Sequence, residues 1–258
     1  GAQVEFDPNE HAAECPFCAT PVVTDTGINR HIKPRSILPF DVDQAAGSAA
    51  MGKWMRGLWF TPNALKKYAR SDQKLQGIYL PYWTFDAQSE TDYRGQRGTR
   101  HSRTVGSGKN RRTQTEIRWR PVSGHVSHFF DDVLVTGSRT LPEDHVRQIS
   151  QFDLSALEPY KPQFLAGFRA EAYSIDVVEA KNLAHATIER ETRSLINRDI
   201  GGDAQRINDM QMVLSHMTYK HILVPVWIAA YRFRGKSYRF VVNARTGAVA
   251  GERPWSPV

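Results

Sequence analysis

The spacing of apolar and polar positions changes several times along the chain, and each change predicts an element. Gly77-Ile-Tyr-Leu-Pro-Tyr-Trp-Thr-Phe-Asp86 is a run of aromatic and β-branched residues, the pattern of a buried strand. Ile117–Pro121, His125–Phe130 and Asp131–Val135 predict three further short strands. A β-meander is predicted over 221–233, 236–243 and 248–249, with turns at Arg234-Gly235 and Ala244-Arg-Thr-Gly247. Helical spacing appears elsewhere. Asp41 and Asp43 offer caps for a helix running to about Leu58, with Ala50, Trp54 and Gly57/Leu58 on one face. Thr61-Pro62 restarts a helix to about Tyr68, because proline suits a first turn. A helix is predicted from Leu141-Pro142 to Ile149. Another spans Asp176–Asp199, with Val177, Leu183, Ile188 and Ile196 as its apolar side and Gly201-Gly202 as its end. A strand begins at Thr218, whereas 203–215 has no clear period.

Ile78-Tyr-Leu-Pro-Tyr-Trp83 and Ile222-Leu-Val-Pro-Val-Trp227 share the pattern Ile-x-(Leu/Val)-Pro-x-Trp. Each copy follows a helical stretch and precedes a hairpin with an Arg-Gly turn. Proline inside a strand belongs at an edge, a bulge or a strand start, so the shared register predicts duplicated architecture. The expected fold class is α+β. An N-terminal half zinc ribbon (1–30) would be followed by two related helix-plus-antiparallel-sheet units (31–140 and 141–258). The second of these ends in a PepSY-like meander.

The chain has 258 residues, 40% of them hydrophobic, which excludes wholesale disorder. Its formal charge of +7 is local. Between Arg94 and Arg120 lie nine bases (Arg94, Arg97, Arg100, Arg103, Lys109, Arg111, Arg112, Arg118 and Arg120) against one acid, Glu116, so this stretch nets +8 and the remainder −1. Its centre, Gly106-Ser-Gly-Lys-Asn110, is turn chemistry, so the segment reads as an exposed basic hairpin. Such a hairpin suits the phosphates of nucleic acid or anionic lipid, or is simply solvated. No RNA-recognition or helix-turn-helix pattern accompanies it. No apolar stretch approaches the ~20 residues of a membrane-spanning helix.

The only cysteines, Cys15 and Cys18, form Cys-Pro-Phe-Cys, the shape of a zinc knuckle in which two thiolates take one metal from a tight turn. A full shell needs four ligands, and His11 and His31 are the nearby substitutes. The alternative is a redox pair, which normally opens a helix; Pro21 and the β-branched residues after Cys18 oppose that.

Several blocks carry a resemblance: the Cys15–Cys18 knuckle, Ile32-Lys-Pro-Arg-Ser-Ile-Leu-Pro-Phe40, Leu58-Trp-Phe-Thr-Pro62, the Gly77–Ala87 strand, Phe130-Asp-Asp-Val-Leu-Val135 and Gly251-Glu-Arg-Pro-Trp255. Together they resemble bacterial zinc-ribbon proteins loosely labelled primosomal protein N′ or replication factor Y. The resemblance implies zinc ribbons preceding this body and a hydrophobic membrane tail following it. On that reading Gly1 follows a missing first Cys-x-x-Cys, and Val258 precedes a missing tail. The resemblance also implies an adaptor at the cytoplasmic face of the inner membrane. Its partners would be membrane-associated proteins of the SPFH-domain or phage-shock type. The helicase-flavoured label finds no Gly-x-x-x-x-Gly-Lys-Ser/Thr loop here.

No catalytic set is recognisable. Gly106-Ser-Gly108 and Thr136-Gly-Ser138 are not nucleophile elbows. His125 and His128 with Asp131/Asp132 form a metal-site candidate only if the strand bends, because residues three apart on a strand face opposite ways. The leading expectation is therefore a non-catalytic zinc-ribbon adaptor. Its alternatives are a nucleic-acid module with Trp119 or His101 stacking on bases, and a metal-dependent enzyme at His125, His128 and Asp131.

Overall fold

A computed structural model of the chain describes residues 4–5, 12–14, 21–23, 32–57, 75–105, 112–233 and 236–252. Its strands are β1 (Val4–Glu5), β2 (Ala12–Glu14), β3 (Pro21–Val23), β4 (Ser36–Ile37), β5 (Gln76–Val105), β6 (Arg112–Thr136), β7 (Glu158–Pro159), β8 (Arg169–Glu171), β9 (Ala204–Phe233), β10 (Lys236–Asn243) and β11 (Val249–Gly251). Its helices are α1 (Gln44–Arg56), α2 (Glu143–Ile149) and α3 (Val177–Ile200).

Nine strands form one sheet whose main path runs β1-β8-β5-β9-β10-β11, with β6 on β5, β4 on β7 and β9, and β2-β3 as a separate pair. The sheet is mixed: β4–β9 and β5–β8 run parallel, β9–β10 and β10–β11 antiparallel. This overturns the expected succession of a half zinc ribbon and two related α+β units. Sheet dominates the chain, with β5, β6 and β9 at 30, 25 and 30 residues. No zinc ribbon is evident among the described residues; Cys15, Cys18, His11 and His31 lie outside them. The predicted helix from Thr61 to Tyr68 also lies outside.

The chain divides into two compact units. The first comprises 1–84, 134–180 and 220–258, the second 85–133 and 181–219. Both copies of the Pro-Trp repeat fall in the first unit, on neighbouring strands β5 and β9, rather than founding successive units. They play matching roles there. Pro81 and Pro225 each offer a carbonyl to a backbone N–H, from Gly137 at 2.8 Å and Ala244 at 3.1 Å. The indoles of Trp83 and Trp227 donate to the carbonyls of Ile175 and Val42, at 2.9 and 2.7 Å.

The first unit buries both faces of its sheet, which explains the unbroken apolar runs. Ile78, Leu80, Tyr82, Ile222, Val224, Val226 and Ile228 pack on one face with Ile149 of α2. On the other, Met51 and Met55 of α1 meet Trp227, Phe240 and Val242. Helix α1 starts where Asp43 accepts a hydrogen bond from the Ala46 N–H at 2.7 Å.

Among the described residues, the second unit covers only one sheet face with a helix. Ala184, Ile188, Thr192, Ile196 and Ile200 of α3 are buried, a stripe at strict four-residue spacing. The sequence placed Leu183 on that side, but it is 43% exposed. Ile196 and Ile200 pack with Tyr93, Val122, Val126, Ile207 and Met210. The helix ends at Gly201 and Gly202, both at positive φ.

Candidate functional site

In the second unit, strand alternation sends Val122 and Val126 toward α3 and leaves Ser123, His125 and Ser127 on the opposite face. Gly124 is small for a reason of contact. A Cβ there would lie 2.7 Å from the Tyr93 hydroxyl and 2.9 Å from Asp199 Oδ2. Tyr93 donates to that carboxylate at 2.5 Å. Burial, with Asp199 adding to it, pushes the phenol up to about 12.

On the helix-free face His125 bridges two carboxylates of β5. Nδ1 lies 2.8 Å from Asp92 and Nε2 2.8 Å from Glu90. A neutral imidazole has one donor and one acceptor nitrogen, so only the imidazolium donates at both ends. Asp92 and then Glu90 accordingly raise the His125 pKa. The Glu90 carboxyl is held below its ordinary range by hydrogen bonds from Ser127, His125 and Gln88. Ser127 donates to Glu90 at 2.8 Å and Gln88 at 2.9 Å. Beside this triad is an open cleft of about 510 Å³, lined by Asp92, Tyr93, Arg94, Ser123, Gly124, His125, Asp209 and Gln211.

The structure separates the His/Asp set suggested by the sequence. His125 is engaged by Glu90 and Asp92, while the His128 ring packs edge-on against Phe130, with centroids 4.6 Å apart. Asp131 and Asp132 gather instead with Asp86 in a group that could ligate a metal. Two of these acids also tie strands together. Asp86 on β5 accepts from the Asp132 N–H of β6 at 3.0 Å and from the Thr218 hydroxyl of β9 at 2.9 Å. Asp132 itself adopts positive φ, a conformation that suits aspartate better than most residues.

The basic segment is the hairpin formed by the ends of β5 and β6. Lys109 and Arg111 lie outside the described residues, as does the Arg112 side chain. Arg94, Arg97, Arg100, Arg103, Arg118 and Arg120 are exposed. Arg97 donates to the Ile200 carbonyl and caps α3, and Arg118 pairs with Glu116 at 3.2 Å. Gly98 allows Trp119 to cross the sheet, because a Cβ there would lie 3.0 Å from the indole. The Arg206 guanidinium sits 4.0 Å from the Trp119 ring centre.

The first unit holds a titratable group that the sequence did not flag. Glu171 is only 2% exposed, and one oxygen accepts from Ser138 at 2.7 Å and Thr140 at 2.6 Å. Its other oxygen is buried without a hydrogen-bond partner among the described residues. Burial raises the carboxyl to about 7, against the opposing pull of the Thr140 and Ser138 hydrogen bonds. Nothing local marks Arg-Ala-Glu171 as buried, since β8 acquires its cover from distant segments.

Among the described residues no helix is long and apolar enough to cross a membrane. No family model matches the chain, and no solved structure matches it. The chain is similar to a Bacillus subtilis (strain 168) protein described as "Uncharacterized protein YdjG", with 24% identity over 236 residues. That alignment covers 89% of this chain and 66% of the relative.

Proposed function

We propose that this chain is a non-catalytic binding module acting at the cytoplasmic face of a membrane. Its basic hairpin contacts anionic lipid while its body engages membrane-associated proteins of the SPFH-domain or phage-shock type. The observation that carries the reading is a set of exposed guanidiniums with no ion pair to a described residue: Arg94, Arg100, Arg103 and Arg120. Exposed cations near an anionic bilayer each contribute about 1 kcal/mol of attraction. Zinc on Cys15 and Cys18 accompanies the proposal, with two thiolates filling half of a tetrahedral shell. The nucleic-acid alternative draws less support, because the ring of Trp119 already carries Arg206.

Co-sedimentation with vesicles rich in phosphatidylglycerol tests the lipid contact. Reversing Arg100, Arg103, Arg118 and Arg120 to Glu should lower the partition at least about 100-fold. Unchanged partition would overturn the reading. Binding of single-stranded DNA without binding of vesicles would transfer it to nucleic acid.

A further inference from the structure

A buried carboxyl sits where several segments of the first unit meet. Oε1 of Glu171 on β8 accepts from Ser138 and Thr140, whose hydroxyls both belong to the connection between β6 and α2. Oε2 is buried with no hydrogen-bond partner among the described residues. The nearby cations are taken up elsewhere. Arg139 binds Glu179 and the Ser174 carbonyl, and Arg239 binds Glu252 and the Thr140 carbonyl. Tyr82 interacts with Glu171 from β5, but burial pushes its phenol up to about 12 and so keeps it neutral. Val4 of β1 is the strand neighbour on the other side. His145 of α2, beside Arg239, Glu252 and Asp144, has its pKa lowered chiefly by burial.

The connection that holds Glu171 is also a cover. Leu141, Val146 and Ile149 lie on the apolar sheet face of Leu80, Tyr82, Val224 and Val226. Its far end is tied by Asn243, whose Nδ2 donates to the carbonyls of Ile149 and Gln151 at 2.7 and 3.2 Å. An amide does not titrate, so one end of the cover is held by a group of fixed charge and the other by an ionisable one. As a neutral acid Glu171 leaves a single unpaired polar atom. As a carboxylate it is a buried charge with no counter-ion, and both strengthened hydroxyl bonds fall on the same oxygen. Relief requires water at Oε2. Strand β8 lies between β1 and β5, so the segment that can yield is the one carrying the hydroxyls. We infer that residues 138–148 form a pH-gated cover: ionisation of Glu171 releases the Ser138–Thr140 end and bares the apolar sheet face, while Asn243 keeps the far end attached. Protonation of His145 at acid pH acts in the same sense, because it charges a buried ring beside Arg239. The cover therefore closes best between the two titrations. This device is independent of the arginine hairpin and of its lipid contact.

Native-state amide exchange of the ¹⁵N-labelled full chain tests the cover, with rates corrected for intrinsic exchange chemistry. The Thr140, His145 and Val146 amides donate within the segment. They should exchange through an opening insensitive to low urea, whereas the β10 amides paired with β9 should follow urea-dependent unfolding. The opening constant of the wild type divided by that of Glu171→Gln should rise about tenfold between about pH 6 and 8, and His145 cancels in that ratio. Glu171→Leu, which also cannot ionise, should give the same rise and serves if the glutamine variant does not fold. A ratio constant with pH would show that Glu171 does not govern the opening. Segment amides sharing the urea dependence of β10 would show that the cover leaves only when the whole unit unfolds. Either result overturns the proposal.

Discussion

Glu171→Gln should change the pH dependence of stability in a calculable direction. The wild-type carboxyl moves from an ordinary 4.5 to about 7 on folding. Between those values the native chain holds more protons than the unfolded one, so the unfolding free energy falls as pH rises. The wild-type contribution is intact below the unfolded value and is lost as pH climbs through about 7. Linkage puts the total near 3 kcal/mol, of which about 2.5 kcal/mol develops between about pH 5 and 8. Glutamine has nearly the same shape and keeps an oxygen for the Ser138 and Thr140 hydroxyls, but it cannot ionise. It leaves a buried amide donor unpaired, a cost of about 1–3 kcal/mol that does not vary with pH. Wild type should therefore be the more stable at about pH 5, with the gap closing or reversing by about pH 8. Urea denaturation followed by tryptophan fluorescence reads this directly, because other groups cancel in the wild-type-minus-variant difference. A difference constant to within about 0.5 kcal/mol from about pH 5 to 8 would refute the assignment of a buried, proton-holding carboxyl.

Other consequences are simpler to check. His125 should titrate above its ordinary 6.5 by NMR, and Asp92→Asn should lower its midpoint, because Asp92 is the larger cause of the upward shift. Gly124→Ala should cost about 1–3 kcal/mol and loosen the Tyr93–Asp199 bond, since its Cβ would fall 2.7 Å from the Tyr93 hydroxyl. Asp43→Ala removes the side-chain cap of α1 and should lower stability by about 1 kcal/mol in thermal or urea unfolding. Zinc analysis of the purified chain should show weak or shared binding that Cys15→Ser abolishes; tight binding retained after that change would place the metal elsewhere.

The legible parts of the fold are those with local causes. Asp43 announced α1, Gly201-Gly202 announced the end of α3, and the run from Ile78 to Phe85 announced a buried strand. The pattern after Pro121 predicts short separate strands, yet β6 continues to Thr136. Positive φ at Asp132 occurs within the strand without ending it. Residues 203–215 lacked a clear period, although they form the start of β9. Ile207 and Met210 face α3 while Asp209 and Gln211 line the cleft, so neighbouring side chains answer to different surroundings. On α3 the buried stripe mixes Ala184 and Thr192 with isoleucines, so hydrophobicity alone locates Ile188 and Ile196 but misplaces Leu183, which is exposed.

By itself the sequence determined the concentration of positive charge between Arg94 and Arg120, the paired Pro-Trp strands and the helix caps. These follow from composition and from interactions within a few residues. Tertiary structure decided that the two Pro-Trp copies are neighbouring strands of one unit. It also brought His125 to Glu90 and Asp92, and Asp131 and Asp132 to Asp86, and enclosed Glu171 with Ser138 and Thr140. Each of those encounters joins residues about thirty or more positions apart, and depends on strand pairing and register. A one-residue slip would send every side chain to the opposite face, so the chemistry of the site is set by pairing that no short stretch of sequence encodes.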